Sequence, residues 1–201
     1  MVRESILAGG IVRLLFSAPE ARPTSPVIFL DRDGVINEKI EGSYVLAWDT
    51  FRYVPGIREA LRQLSTLGHP IIIVSNQAGV GKGLMDRDTL IAITLRFVEE
   101  LLAEGIRIDA AYYCPHTTET RCPCRKPQPG LLTQAAGDWD ADLARSVFIG
   151  DSATDVEAAA AAGCHSILFS ANSLENKCGQ TRAILAANTS EIFPAVLGLL
   201  G

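Results

Sequence analysis

Short, unbroken apolar runs alternate along this chain with longer stretches in which apolar residues return every three or four positions. VIFL (27–30) breaks off abruptly into DRDG, and IIIVSNQ (71–77), AAYYCP (110–115), SVFIGD (146–151) and HSILFS (165–170) repeat the pattern. Strands covered on both faces read this way, apolar without alternation. Between them, Ile57, Ala60, Leu61, Leu64 and Leu67 keep helical spacing after Pro55, until Gly68 ends the run. Leu90, Ile93, Phe97 and Leu101 do the same within 86–104, which stops at Gly105. Residues 130–136 and 155–162 predict two further helices, with Gly163 closing the second, and 190–199 predicts one more.

Strands alternating with helices at this spacing predict a mainly parallel sheet with helices on both faces, joined by right-handed crossovers. The expected fold is a three-layer, Rossmann-like α/β sandwich. Pro23 to Pro26 reads as a linker. It divides the chain into an N-terminal extension over 1–25, an α/β domain over 26–170, and a tail over 171–201 that packs on the same domain. No insertion is long enough to form a large cap domain, and nothing in the tail points to a function.

Ligands of such sheets bind beyond the carboxyl ends of the strands. Asp31 and Asp33 follow the first predicted strand, Ser75 and Asn76 end the second, and Asp151 ends the fourth, so three distant segments converge. Gly34 lets the backbone turn sharply beside the acid pair. A hard cation such as Mg²⁺ wants octahedral oxygen ligands, which two carboxylates, one carbonyl and a substrate phosphate would supply, with Asp151 as the second carboxylate. An isolated DxD is more often a pair of loop caps. Followed in order by SNQ, RKP and GDSATD, it is better read as a site.

Cys114, His116, Cys122 and Cys124 form a C-x-H-x₅-C-x-C set, three thiolates and an imidazole suited to tetrahedral Zn²⁺. Four protein ligands leave no open position, so this zinc is structural, a staple on the loop 114–124 that Pro115 and Pro123 interrupt. A redox CxC pair is the alternative reading. Cys124 directly precedes Arg125 and Lys126, so the staple also aims those two cations.

Composition narrows the partners. The 201 residues, 48% hydrophobic and 20% charged, suffice for one substantial core. A net charge of -5 without a Lys/Arg run argues against nucleic acid or anionic lipid as a partner. Glu4 and Arg13 break any signal-peptide pattern, and no apolar run reaches the roughly 20 residues that cross a bilayer. A cytoplasmic protein is expected, and a monomer, since no self-association motif is evident. Five cysteines, an odd number, argue against a disulfide framework, leaving Cys164 and Cys178 as free thiols.

DxDG, a strand-terminal Ser, a Lys and GDxxxD in this order resemble the haloacid dehalogenase superfamily, over roughly Val27 to Ser170. The resemblance implies a phosphatase in which Asp31 attacks phosphorus. Asp33 would protonate the leaving oxygen and then activate the water that hydrolyses the aspartyl phosphate. It further implies that Ser75, Asn76 and Lys126 bind the transferring phosphoryl group, and that Mg²⁺ is held by Asp31, Asp33 through its carbonyl, and Asp151. Asp155 would support the site and cap the following alanine-rich helix at its N-cap. CPH followed by CxCRKP is similar to the branch that acts on D-glycero-D-manno-heptose 1,7-bisphosphate and histidinol phosphate. YYCPH, RKPQPG, NQAGVGKG, Asn37 and Tyr44-Val45 look closer to the heptose enzymes. GDSATD is as similar to the histidinol branch, Ser152 stands where heptose enzymes commonly carry a basic residue, and their zinc loop is often longer. Arg125, with Lys82 as a possible helper, is then the contact to a second anionic group of a small phosphorylated metabolite. A receiver-like module that only accepts phosphate is the rival class; it needs neither the acid at Asp33 nor a zinc staple.

Overall fold

The computed structural model describes residues 2–19, 24–169 and 183–200. An eight-stranded sheet runs in the order β1-β2-β5-β4-β3-β6-β7-β8. Its members are β1 (Arg3–Ile6), β2 (Val12–Leu15), β3 (Ile28–Leu30), β4 (Ile71–Asn76), β5 (Ala110–Cys114), β6 (Val147–Gly150), β7 (His165–Phe169) and β8 (Ala183–Ala186). From β5 through β8 the pairing is parallel, while β1 and β2 add an antiparallel hairpin to the edge at β5.

Side chains of consecutive strand residues point to opposite faces, and this divides the core in two. Ile28, Leu30, Ile71, Ile73, Val147 and Ile149 join one apolar cluster, whereas Val27, Phe29, Ile72, Val74 and Phe148 join the other. Helices α1 (Ile57–Ser65), α3 (Arg87–Ala103) and α6 (Ile192–Leu200) cover the first face through Leu61, Phe97 and Val196. Helices α4 (Gly130–Trp139) and α5 (Ala153–Ala162) cover the second through Leu131 and Ala159. A short α2 (Ala78–Gly81) follows β4. These are the three layers expected from the pattern.

The chain builds outward from β3 through β4 to β5 and then returns to the other side of β3 with β6. That reversal opens a crevice at the carboxyl end of β3, where ligands of such sheets bind. The long connection 31–56 does not form a separate cap: Val35, Ile36, Val45, Phe51 and Val54 are buried in the first cluster.

The strands β1, β2 and β8 were not foreseen in the sequence. Arg13 looked like an interruption of an apolar stretch, but β2 lies near the sheet edge, where Arg13 pairs with Asp138 at 2.7 Å while Val12, Leu14 and Leu15 stay buried. Pro23 of the linker, Ser170 at the end of the expected domain and residues 171–182 of the tail, Cys178 among them, lie outside the described residues.

Candidate active site

Every residue predicted for catalysis, phosphate and magnesium lines one cavity of about 190 Å³ at the carboxyl end of β3, namely Asp31, Asp33, Ser75, Asn76, Arg125, Lys126 and Asp151. Asp31 is placed by continued parallel pairing, its amide donating to the Ile149 carbonyl at 2.9 Å. Its Oδ1 accepts the Arg32 amide at 2.7 Å, and its Oδ2 lies 2.9 Å from Lys126 Nζ. Lys126 is itself buried, with Asp155 Oδ1 at 2.6 Å and the Val74 carbonyl at 3.1 Å as its other partners. Burial pushes the Asp31 carboxyl up to about 7, partly countered by the Lys126 charge. Burial alone would depress Lys126, but the charges of Asp155 and Asp31 outweigh it and hold the ammonium above its usual range.

Asp33 has a different environment. Burial disfavours its charged form, yet the Arg32 charge and hydrogen bonds, with donors from Asn37 and Gln77, leave it below the usual carboxylate range. Arg32 Nη2 reaches the two carboxylate oxygens at 2.8 and 3.0 Å, Asn37 Nδ2 donates at 2.9 Å, and Gln77 Nε2 at 2.7 Å. Gln77 Nε2 also reaches Ser75 Oγ at 3.2 Å, linking Asp33 to the end of β4. Sequence reasoning missed Arg32 and Gln77. The signal was present in DRDG, because an arginine between two acids at a buried strand end is 0% exposed and has to find a carboxylate partner, which here is Asp33.

Asp151 follows β6, and its Oδ2 pairs with Lys39 Nζ at 2.6 Å, another partner that the sequence pattern did not reveal. Burial raises the Asp151 carboxyl, and Lys39 partly offsets this. Asp155 is not an N-cap as expected. Ser152 holds that position, and Asp155 is the third residue of a capping box, its Oδ2 accepting from the amides of Asp151 and Ser152 at 3.1 Å. Its other oxygen belongs to Lys126, so Asp155 is committed on both sides. The carboxylate oxygens of Asp31, Asp151 and Asp155 nevertheless lie within 4.8 Å of one another. One oxygen from each of Asp31, Asp151 and Asp155 makes a hard oxygen set that fits Mg²⁺, and Asp31 and Asp151 are its less buried members. Gly34, at φ 87°, keeps this space open, since a Cβ there would stand 2.2 Å from Asp151 Oδ2.

Asn76 clamps the RKP segment by a reciprocal pair, its Oδ1 accepting the Lys126 amide and its Nδ2 donating to the Lys126 carbonyl, both at 3.1 Å. The contact positions Lys126 from β4. Arg125 is anchored on the neighbouring loop by Nη1 donating to the His116 carbonyl at 3.2 Å. It also lines a larger cavity of about 550 Å³ beside Thr118, Arg121 and Gln128. Lys82 does not line the site but stands over the Tyr44 ring at 5.4 Å.

Cys114 at the end of β5, His116, Cys122 and Cys124 do come together. Cys124 Sγ lies 3.2 Å from Cys114 Sγ, 3.3 Å from Cys122 Sγ and 3.4 Å from His116 Nδ1. Bonds of about 2.3 Å to sulfur and about 2.0 Å to nitrogen put tetrahedral neighbours about 3.5–3.8 Å apart, so a small outward adjustment accommodates Zn²⁺. Hydrogen bonding, chiefly from Cys124, brings the Cys114 thiol down, while the same contact and burial push the Cys124 thiol up, so the pair shares one thiolate until a metal enters.

A paired acid and buried lysine at the switch point of a parallel sheet suit phosphoryl transfer, and with the relatives that follow the class is an α/β phosphomonoester hydrolase. Comparison with known proteins places it more closely. Residues 123–183 match the HAD-hydrolase-like family model. The D-glycero-β-D-manno-heptose-1,7-bisphosphate 7-phosphatase of Rhodopseudomonas palustris is 41% identical over 160 residues, 76% of this chain and 88% of that protein. The D-glycero-α-D-manno-heptose-1,7-bisphosphate 7-phosphatase of Mycobacterium tuberculosis is 41% identical over 146 residues, 70% of this chain and 77% of that protein. A crystal structure of D,D-heptose 1,7-bisphosphate phosphatase from B. bronchiseptica, with magnesium and phosphate, is 32% identical. It superposes with a TM-score of 0.79, covering 86% of this chain and 98% of that one. The chain belongs to the HAD family of hydrolases.

Proposed function

We propose that this protein removes the 7-phosphate of D-glycero-D-manno-heptose 1,7-bisphosphate through an aspartyl phosphate on Asp31. The observation that carries the chemistry is the buried Asp31 carboxylate 2.9 Å from the buried Lys126 ammonium, on the wall of a cavity that also holds Asp33, Ser75 and Asp151. Asp31 attacks phosphorus, and the P–O bond to the sugar breaks as the new acyl phosphate bond forms. Lys126 and the Ser75 hydroxyl take the charge of the transferring oxygens, and Asn76 fixes Lys126. Asp33 gives the departing sugar oxygen a proton, then takes one from the water that cleaves the acyl phosphate and restores Asp31. The donors around Asp33 favour its ionised form, the state that second step requires, and oppose the protonated form of the first, so Asp33 has to take up that proton from solvent as the substrate binds. Mg²⁺, held by the Asp31 and Asp151 side chains and the Asp33 carbonyl, would supply neutralisation of the phosphoryl charge. Zn²⁺ on Cys114, His116, Cys122 and Cys124 would hold the loop that presents Arg125 and Lys126.

Two observations support a bisphosphate. Arg125 faces the same cavity as Lys126 but is tied to the zinc loop, so it offers a second anion contact apart from the reacting phosphate. The two relatives named above act on 7-phosphates of heptose 1,7-bisphosphates, one of the β and one of the α anomer. Histidinol phosphate carries an ammonium where the bisphosphate carries a second anion, and Arg125 disfavours it. Among the described residues no helix is long and apolar enough to cross a membrane; a cytoplasmic monomer acting on a diffusible metabolite, without nucleic acid or membrane partners, is the accompanying proposal.

The test is phosphate release in Mg²⁺ with both heptose anomers, histidinol phosphate and simple sugar phosphates, alongside Asp31→Asn. Faster turnover of one heptose bisphosphate, with the variant at least about a thousandfold slower, is the expected result. Preference for histidinol phosphate would replace the substrate, and an active Asp31→Asn protein would remove the nucleophile.

A further inference from the structure

Two ammonium groups border the carboxylates of the site, and they differ in freedom. Lys126 is buried and committed to Asp31, Asp155 and the Val74 carbonyl. Lys39 is 56% exposed at its side chain, yet its Nζ lies 2.6 Å from the Oδ2 of Asp151, which is only 13% exposed. The carboxylate it holds belongs to the three-acid group of Asp31, Asp151 and Asp155, one oxygen of each lying within 4.8 Å of the others. Three carboxylates this close repel unless cations stand among them; Lys126 serves Asp31 and Asp155, which leaves Asp151 to Lys39.

We propose that Lys39 is a tethered resident cation of the metal site: it pairs with Asp151 while the metal is absent and is displaced when Mg²⁺ binds. The inference rests on the proposed role of Asp151 as a magnesium ligand. The ammonium and the metal draw on the same Asp151 carboxylate, and a half-exposed lysine on a flexible four-carbon stem gives it up readily. Displacement also has a structural consequence. Lys39 lines the same cavity beside Ile40, Ser43 and Tyr44, while Val45 is held in the core, so displacement of Lys39 alters the cavity wall from Lys39 to Tyr44. Metal occupancy is thereby coupled to the shape of the pocket that the phosphorylated ligand enters.

The test is equilibrium binding of Mn²⁺, as a magnesium probe, to the zinc-loaded protein without substrate, read from the electron paramagnetic resonance of free Mn²⁺ and checked by Mg²⁺ competition. Lys39→Met removes the competitor from an exposed position and is expected to bind about two- to fivefold more tightly, the size of a partly exposed ion pair. Lys82→Met removes a charge that does not line the site and is expected to leave affinity unchanged. Wild-type affinity in Lys39→Met, or equal tightening in Lys82→Met, overturns the tether. Asp151→Asn checks the underlying assignment separately. Loss of binding there upholds the metal site, so that a failure of Lys39→Met counts against the tether alone. Undiminished binding by Asp151→Asn removes the metal assignment and the tether with it.

Discussion

Lys126 and Asp155 are both essentially fully buried, with side-chain exposures of 2% and 1%. A buried ion pair adds little over an apolar pair, but breaking one leaves an uncompensated charge that costs about 3–5 kcal/mol. Lys126→Met is therefore expected to lower unfolding free energy in urea by about that amount, besides abolishing turnover. The Asp31 carboxyl behaves oppositely. Raised from 3.8 to about 7 by burial, it binds more protons folded than unfolded across that interval. Its contribution to stability is thus full below pH 3.8 and lost as pH rises through about 7. Without added magnesium, the wild type is expected to be less stable in urea at pH 7.5 than Asp31→Asn, and the difference to shrink at pH 5. A gap independent of pH would show that Asp31 does not titrate in this range. The residues that carry these effects were legible at different depths. Asp31, Asp33 and Asp151 were found through their places at strand ends and Lys126 through the family resemblance, whereas Arg32, Gln77 and Lys39 act through contacts to other side chains, which no spacing rule records.

Elements with unbroken apolar runs or strong helical periodicity were readable to within a few residues, because burial on both faces leaves little choice of residue. The strands β1, β2 and β8 were not, since edge strands mix exposed and buried positions: β1 is mostly exposed and β8 carries the exposed Ile184 and Leu185. The loop 114–124 was legible for another reason, its ligand chemistry. Cys114 and Cys124 are packed in the second core cluster, and with the proposed zinc on all four side chains metal removal acts on this loop first. Cys122→Ser, at the most accessible thiol of the set, is expected to bind less than one zinc per chain and to raise KM more than it lowers kcat, because Arg125 and Lys126 lose their aim while Asp31 remains. Zinc content by elemental analysis, with steady-state kinetics, measures both. Gly34→Ala tests the opposite end of the cavity. The added Cβ would meet Asp151 Oδ2 at 2.2 Å on a backbone with φ 87°, so magnesium affinity is expected to fall at least about tenfold while zinc content stays at wild type.

At the scale of the whole molecule, the N-terminal hairpin and the zinc loop meet. Strand β2 pairs with β5 from Ala110 to Tyr113, one residue before the zinc-set Cys114, and a Cβ on Gly10 in the hairpin turn would lie 3.0 Å from His116 Nε2. Leu14 of β2 is fully buried in the cluster that also holds Ile73, Ile149 and Phe97. The hairpin is thus an integral edge of the catalytic sheet, continuous with the loop that carries Arg125 and Lys126. If so, damage far from the metal must travel to it. Leu14→Ala empties a buried site and is expected to cost about 2–5 kcal/mol. Because the hairpin, sheet and loop share one core, urea unfolding followed by circular dichroism and zinc release followed by a chromogenic chelator should trace one transition in the wild type, and both should move to the same lower midpoint in Leu14→Ala. Zinc release that keeps its wild-type midpoint while the circular dichroism shifts would show that the loop stands independently of the hairpin, and that the cations at the active site are aimed by the metal alone.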